Sequence, residues 1–241
     1  MLAYRAGAEL LDMEFVQFHP TGMVWPVSVR GILVTEGVRG EGGVLRNSEG
    51  RRFMFDDIPD LYKDQTADTE EEGWRYTQGD KNARRPPELL TRDHVARCIN
   101  REVKAGRGSP HGGVYLDIAW IKDRIKDGSE HIKRKLPSMY HQFKQLAEID
   151  ITQVPMEVGP TTHYMMGGVR VDGDTQASTV PGSSPQAKPP LAYTVQTVWR
   201  QLAVRPDRVR ETRRTICCEF AKQNSPAAVD QEQIRTQSRQ H

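Results

Sequence analysis

The chain changes character at Gly182. All 20 of its glycines lie at or before that residue and none follows it. Glycine lets a backbone turn tightly or pass close to a neighbour, so a turn-rich, closely packed fold is expected of residues 1–182. Beyond it, residues 183–218 hold Pro185, Pro189, Pro190 and Pro206 and scattered apolar side chains without a sustained period. Such a stretch has little to pack and is expected to be poorly ordered. It carries seven basic and two acidic side chains, in a chain whose overall net charge is only +2. That basic block shows neither a helical charge stripe nor a binding motif, so nucleic acid is not an expected partner.

No apolar run approaches the roughly 18 residues that cross a bilayer, and the N-terminus lacks a signal-peptide core, so no direct membrane insertion is expected. The three cysteines, Cys98 and the adjacent Cys217 and Cys218, fit neither a disulfide framework nor a zinc-ligand spacing. A reducing, cytoplasmic setting is the corresponding expectation.

Hydrophobic periodicity predicts a mixture of helices and strands without a regular βαβ rhythm, which is the α+β class. Ala3–Leu11 reads as the end of a helix. Met13–Phe18 alternates and reads as a strand leading into a turn at His19. Gly31–Val34 is a second apolar run, and Val44–Phe53 reads as a hairpin turning at Asn47–Gly50. Residues 56–87 are polar and acidic and read as an exposed excursion. Thr91 is a candidate N-cap for a helix whose Val95, Ile99 and Val103 recur at helical spacing. Val114–Asp117 reads as a strand, 129–149 as helical around a break at Leu136–Pro137, and Gly168–Asp172 as a strand closed at Gly173.

Three polar motifs stand out within this framework. His19-Pro20-Thr21-Gly22 and Thr161-Thr162-His163-Tyr164, the latter followed by Gly167-Gly168, set histidine and hydroxyls beside glycines. Between them lies Thr35-Glu36-Gly37-Val38-Arg39-Gly40-Glu41-Gly42-Gly43. A lone histidine is most often a surface or capping residue, but two histidines with flanking threonines form a donor set suited to a small dicarboxylate. Arg92 sits at a predicted helix N-terminus, where a cation opposes the helix dipole, a hint that it serves something else. Arginine holds its proton so tightly that it acts as an acid only in a dry, cationic site or with a relay to reprotonate it. Glu36 and Arg39 are the candidates for that relay.

Taken in order, these motifs resemble the flavoprotein subunit of succinate dehydrogenase and fumarate reductase, from about Ala3 to Gly182. The resemblance implies FAD as cofactor, with Gln17 approaching the flavin. It implies that His19, Thr35 and His163 hold the carboxylates of succinate or fumarate. Arg92 is then the proton donor or acceptor, with Glu36 and Arg39 as its proton pathway. The implied chemistry is hydride transfer between a dicarboxylate carbon and flavin N5, coupled to proton transfer at the adjacent carbon. Implied partners are an iron-sulfur subunit together with membrane anchor subunits, which would hold the protein at the cytoplasmic face of a membrane. Aspartate oxidase shares much of the constellation, but Met54-Phe55-Asp56 and Ser138–Phe143 look closer to the succinate dehydrogenase branch.

On this resemblance, residues 1–34 are a remnant of the FAD-binding α/β domain leading into a cap, and 35–158 are the capping, substrate-binding domain. Residues 159–182 return to the FAD-binding domain, 183–218 are aberrant, and 219–241 form a C-terminal tail. No strand–GxGxxG–helix context occurs, and the family's flavin-contacting Gly-Glu pair and second substrate arginine have no counterpart in 183–218. The likeness returns at Phe220–Asn224 and Val229–Ile234, which points to a shifted reading frame across 183–218, the alternative being a true insert. The expectation is a fragment inactive by itself, and the rival class is a non-enzymatic remnant or weak dicarboxylate-binding domain.

Overall fold

The computed structural model describes residues 2–172 and 178–180. The expectations for 183–218 and 219–241 therefore lie outside the described residues. The chain divides into two units, one of Met1–Val16 with the chain from Met165 onward, the other of Gln17–Tyr164.

In the first unit, helix α1 covers only Leu2–Arg5. The helix read over Ala3–Leu11 is cut short because Gly7 takes a φ of +89°, a left-handed conformation that ends a helix. The freed chain enters β1, Leu10–Leu11, which pairs antiparallel with β6, Gly168–Val169, in the register Leu10 to Val169 and Leu11 to Gly168. Gly173 lies outside the described residues, and the expected strand is shorter than Gly168–Asp172.

The second unit is built on a four-stranded sheet in the order β2-β5-β4-β3. Strand β2, Val16–Met23, does not stop before His19 but runs through His19, Pro20, Thr21 and Gly22. Strand β2 is the outermost of the four strands. On its other side the Gly31–Val34 run completes the hydrogen bonding, Met23 N–H to Ile32 O at 2.8 Å and Val34 N–H to Thr21 O at 2.9 Å. Helix α2, Glu36–Gly40, follows at once. Strand β3, Val44–Arg46, pairs antiparallel with β4, Val114–Asp117, as Leu45 to Leu116. The hairpin expected over 44–53 thus has its turn but no returning strand. Buried Asn47 accepts from the backbone N–H groups of Glu49 and Arg51 and donates to Glu102, while Phe53 and Met54 enter the core in a 3-10 turn.

The 56–87 excursion is anchored by buried Thr66, Ala67 and Ala83. Its acidic run forms the first turn of α3, Glu70–Thr77, where Thr69 caps the Glu72 N–H and three carboxylates favour the helix dipole. Helix α4, Arg92–Lys104, buries Val95 and Ile99 as the spacing predicts. Helices α5, Gly128–Lys135, and α6, Pro137–Leu146, meet at the expected break, with Pro137 at the first helical position. Strand β5, Met156–Met165, pairs antiparallel with β4, as Val114 to Val158. The core closes around Leu45, Met54, Val95, Ile99, Leu116, Phe143 and Met156. The mixture of helix and antiparallel sheet agrees with the α+β reading. Among the described residues no helix is long and apolar enough to cross a membrane.

Candidate functional site

Every residue singled out from the sequence, Gln17, His19, Thr35, Glu36, Arg39, Arg92 and His163, falls in the unit Gln17–Tyr164. His19 on β2 and His163 on β5 meet with ring centroids 5.2 Å apart and planes inclined at 66°. The glycine beside His19 makes this approach possible. A Cβ at Gly22 would lie 2.7 Å from Thr161 Cβ, so Gly22 seats a side chain of the facing strand. The sequence pattern suggests a glycine that admits a bound molecule, whereas in the fold it admits the protein itself.

His19 is buried, at 3% exposure. The Thr21 backbone N–H donates to His19 Nδ1 at 3.3 Å, which leaves the ring proton on Nε2 in the neutral form. The Thr21 hydroxyl donates to Val34 O at 3.0 Å and so is committed elsewhere. Burial, with the nearby positive charges of Arg39 and Arg92, pushes the His19 pKa down to about 4. His163 is exposed, and burial of its ring together with Arg92 also lowers its pKa. Near neutral pH both rings are therefore uncharged hydrogen-bond groups.

Arg92, first residue of α4, joins β2 to α2. Its Nη1 donates to Gln17 Oε1 at 2.9 Å, and its Nε and Nη2 point at Glu36 Oε2 at 3.4 and 3.3 Å. Glu36 opens α2, where Thr35 is the N-cap and accepts from the Gly37 N–H at 3.4 Å. Thr35 remains exposed beside Glu36, with its hydroxyl hydrogen available. Arg39 lies three residues on, with Nη2 at 3.9 Å from the same Glu36 oxygen. Its side chain is wholly buried, and burial lowers its pKa. Arg92, Glu36 and Arg39 thus form a continuous line from a half-exposed guanidinium inward to a buried one.

What holds Arg39 was not foreseen from the sequence. Its Nη1 donates to the backbone carbonyl of Glu88, while its Nε and Nη2 have no hydrogen-bond partner. The fully buried Glu88 carboxylate takes a bidentate pair from Arg52, at 2.6 and 2.8 Å. An acid flanked by Pro87 and Leu89–Leu90 was the available signal, since a charge set among apolar residues needs a buried partner. A second unforeseen group is Asp57 with His94 and Cys98, whose donor atoms lie within 4.8 Å of one another.

The chain resembles proteins of known type across most of its described length. The FAD binding domain family model matches residues 1–183. One subunit of the fumarate reductase (CoM/CoB) of Methanothermobacter marburgensis is 48% identical over 171 residues, 71% of this chain and 25% of that protein. The mitochondrial succinate dehydrogenase (ubiquinone) flavoprotein subunit of Oryza sativa is 36% identical over 191 residues, 77% of this chain and 24% of that protein. A quinol fumarate reductase chain from E. coli matches in structure with a TM-score of 0.53 at 31% identity, covering 74% of this chain and 27% of that one. The chain spans about a quarter of the length of the curated relatives it matches.

Proposed function

Because the chain belongs to the FAD-binding flavoprotein family of succinate dehydrogenases and fumarate reductases, we propose that it carries the substrate-binding and proton-transfer part of a dicarboxylate oxidoreductase. The observation that carries this reading is the line Gln17–Arg92–Glu36–Arg39 beside the His19–His163 pair. One carboxylate of succinate or fumarate accepts from the neutral imidazoles, and Thr35 serves the other. Two clamped carboxylates fix the carbons between them, which turns proton transfer into an oriented, effectively unimolecular step. In the fumarate-reducing direction, where the family's flavin would supply a hydride to one carbon, Arg92 gives a proton to the adjacent carbon. Glu36 returns one to Arg92, and Arg39 resupplies Glu36. In the opposite direction the same line carries the proton away.

FAD is the cofactor of the family. Among the described residues no strand leads through a glycine-rich turn into a helix, the arrangement that receives a dinucleotide pyrophosphate. Each proton step runs on the chain's own side chains. In this reading residues 35–158 are the capping domain, lying wholly inside the compact unit Gln17–Tyr164, with 1–34 and 159–182 belonging to the flavin-binding side. An iron-sulfur subunit together with membrane anchor subunits are the partners of the whole protein.

Proton NMR of the histidine rings tests the substrate assignment on the purified chain. Fumarate and succinate should shift the His19 and His163 resonances together and saturably, while acetate at equal ionic strength should not. Shifts that acetate reproduces, or that spare His19, would refute the dicarboxylate clamp.

A further inference from the structure

Helix α4 carries a second chemistry that the proposed reaction does not use. His94 and Cys98 are four residues apart on it, one turn, so their side chains leave the same face. Facing them is Asp57, which follows the 3-10 turn Phe53–Asp56. His94 Nε2 lies 3.4 Å from Cys98 Sγ, and Sγ lies 3.6 Å from Asp57 Oδ2. His94 and Cys98 are buried, at 7% and 3% exposure, and Asp57 is partly exposed.

We propose that Asp57, His94 and Cys98 form a transition-metal site of the zinc type, with a water or the Asp57 carbonyl as fourth ligand. The distances carry the argument. Tetrahedral zinc has Zn–S bonds of about 2.3 Å and Zn–N and Zn–O bonds of about 2.0–2.1 Å, which sets sulfur roughly 3.5 Å from each of the other two donors. The observed separations of 3.4 and 3.6 Å lie on either side of that value. Sulfur thus already stands at ligand spacing from both other donors, and the His94–Asp57 pair, within 4.8 Å, draws together toward roughly 3.3 Å as the ion enters. Thiolate and imidazole select a soft or borderline ion such as zinc or cobalt over magnesium or calcium, which prefer all-oxygen shells.

The metal-free state is a closed hydrogen-bond network. The Cys98 thiol donates to Asp57 Oδ2, and His94 Nε2 lies 2.7 Å from the Asp57 carbonyl and carries the ring proton there. Burial and the Asp57 carboxylate push the thiol pKa up to about 12, so without a metal Cys98 stays protonated and unreactive. When the ion enters, the thiol proton leaves to solvent and the histidine proton moves from Nε2 to Nδ1. One proton is released per metal bound. Arg101 Nη1, at 2.5 Å from Asp57 Oδ2, holds the carboxylate in place and opposes the incoming cation. The thiolate and carboxylate offset a divalent ion, and Arg101 leaves the cluster with one net positive charge.

The test uses the full chain with Cys217→Ser and Cys218→Ser, which leaves Cys98 as the one thiol. Titration with cobalt(II) should give one equivalent bound, a thiolate-to-cobalt charge-transfer band in the near ultraviolet, and the intense visible bands of a tetrahedral ion. Zinc should displace the cobalt and magnesium should not. Adding Cys98→Ser should abolish the charge-transfer band, and His94→Gln and Asp57→Asn should each weaken binding by roughly tenfold or more. Should these variants fold poorly, X-ray absorption at the zinc edge of the cysteine-pair variant decides, by the presence of a single sulfur in the first shell. No thiolate band when only Cys98 remains overturns the site, because any metal bound by the unaltered chain would then sit on Cys217 and Cys218. Affinity unchanged in both His94→Gln and Asp57→Asn overturns it equally.

Discussion

His19 and His163 meet edge to face across β2 and β5, one ring buried and the other exposed. The buried ring is held neutral by its surroundings, and the exposed ring is the one a ligand reaches first. Such a pair offers uncharged donors to an anion while Arg92 and Arg39 supply the positive potential behind them.

Acid should destabilise the chain through His19. The unfolded histidine takes up its proton near pH 6.5, whereas the folded one does so only near pH 4. The stability this residue contributes is therefore complete above about pH 6.5 and is lost as the pH falls toward 4, on the order of 2–3 kcal/mol in all. Urea unfolding at pH 7 and pH 4.5 measures it. His19→Gln should remove much of the difference between the two conditions, and an unchanged difference would count against a buried, neutral His19.

Arg92 should divide rate from affinity. In a full-length flavoprotein carrying this segment, Arg92→Gln should lower kcat by roughly 10²–10⁴-fold, the usual worth of a positioned acid, with KM within a few-fold of the parent. Arg92→Lys should keep a small activity whose pH dependence follows an amine, because lysine retains a proton but lacks the planar fork. A raised KM with normal kcat would make Arg92 a carboxylate clamp and not an acid.

The Arg52–Glu88 pair predicts a non-additive result. Glu88→Gln should leave Arg52 buried without its counter-charge and cost about 3–5 kcal/mol. The double change Arg52→Met with Glu88→Leu should recover most of that, since apolar replacements of similar size often match a buried pair. Chemical denaturation of Arg52→Met and Glu88→Leu, singly and together, gives the cycle, and costs that simply add would show the two residues to be uncoupled.

Gly22→Ala should cost about 1–3 kcal/mol by forcing β2 away from Thr161. Thr161→Ser should relieve only part of this, because the Thr161 Cβ itself stands in the way. The loss should be accompanied by a larger His19–His163 separation, seen as a weaker ring-to-ring nuclear Overhauser effect. A tolerated alanine with an intact effect would mean that Gly22 does not set the approach.

The isolated chain should purify colourless. The described residues provide no glycine-rich cradle for the pyrophosphate, so absorbance in the flavin bands at one equivalent per chain would contradict the expectation.

Much of the candidate site was legible in the sequence because it is carried by side chains of distinctive chemistry. Arg92 stood out as a cation at a helix start, and Thr91–Lys104 was readable from Val95 and Ile99. Glu36 and Arg39 stood out as relay candidates through the family resemblance and not through their spacing, and the fold brings Arg39 and Arg92 to the same Glu36 oxygen. Tertiary pairing was not legible. The strand β2 was ended too early at His19, because Pro20 and Gly22 read locally as a turn, and only the neighbours on either side, β5 and the Gly31–Val34 run, keep the chain extended through them. The hairpin read over 44–53 failed because β3 found β4, far along the chain, in place of its own return. Glu88 and Asp57 escaped notice for a related reason. Each is an ordinary acid until folding brings Arg52 to the one and His94 and Cys98 to the other.

Strand β5 lies between β2 and β4, yet it is the last of the four to be made. During synthesis β3 and β4 can zip together as soon as Asp117 has emerged, and β2 can rest against the Gly31–Val34 run. Both halves must then wait for Met156–Met165 to slide between them. A nascent chain paused before that point would present two open strand edges at once, each a template for the wrong neighbour. Chaperone occupancy on the ribosome should accordingly peak just before residue 156 leaves the exit tunnel and fall once β5 has docked.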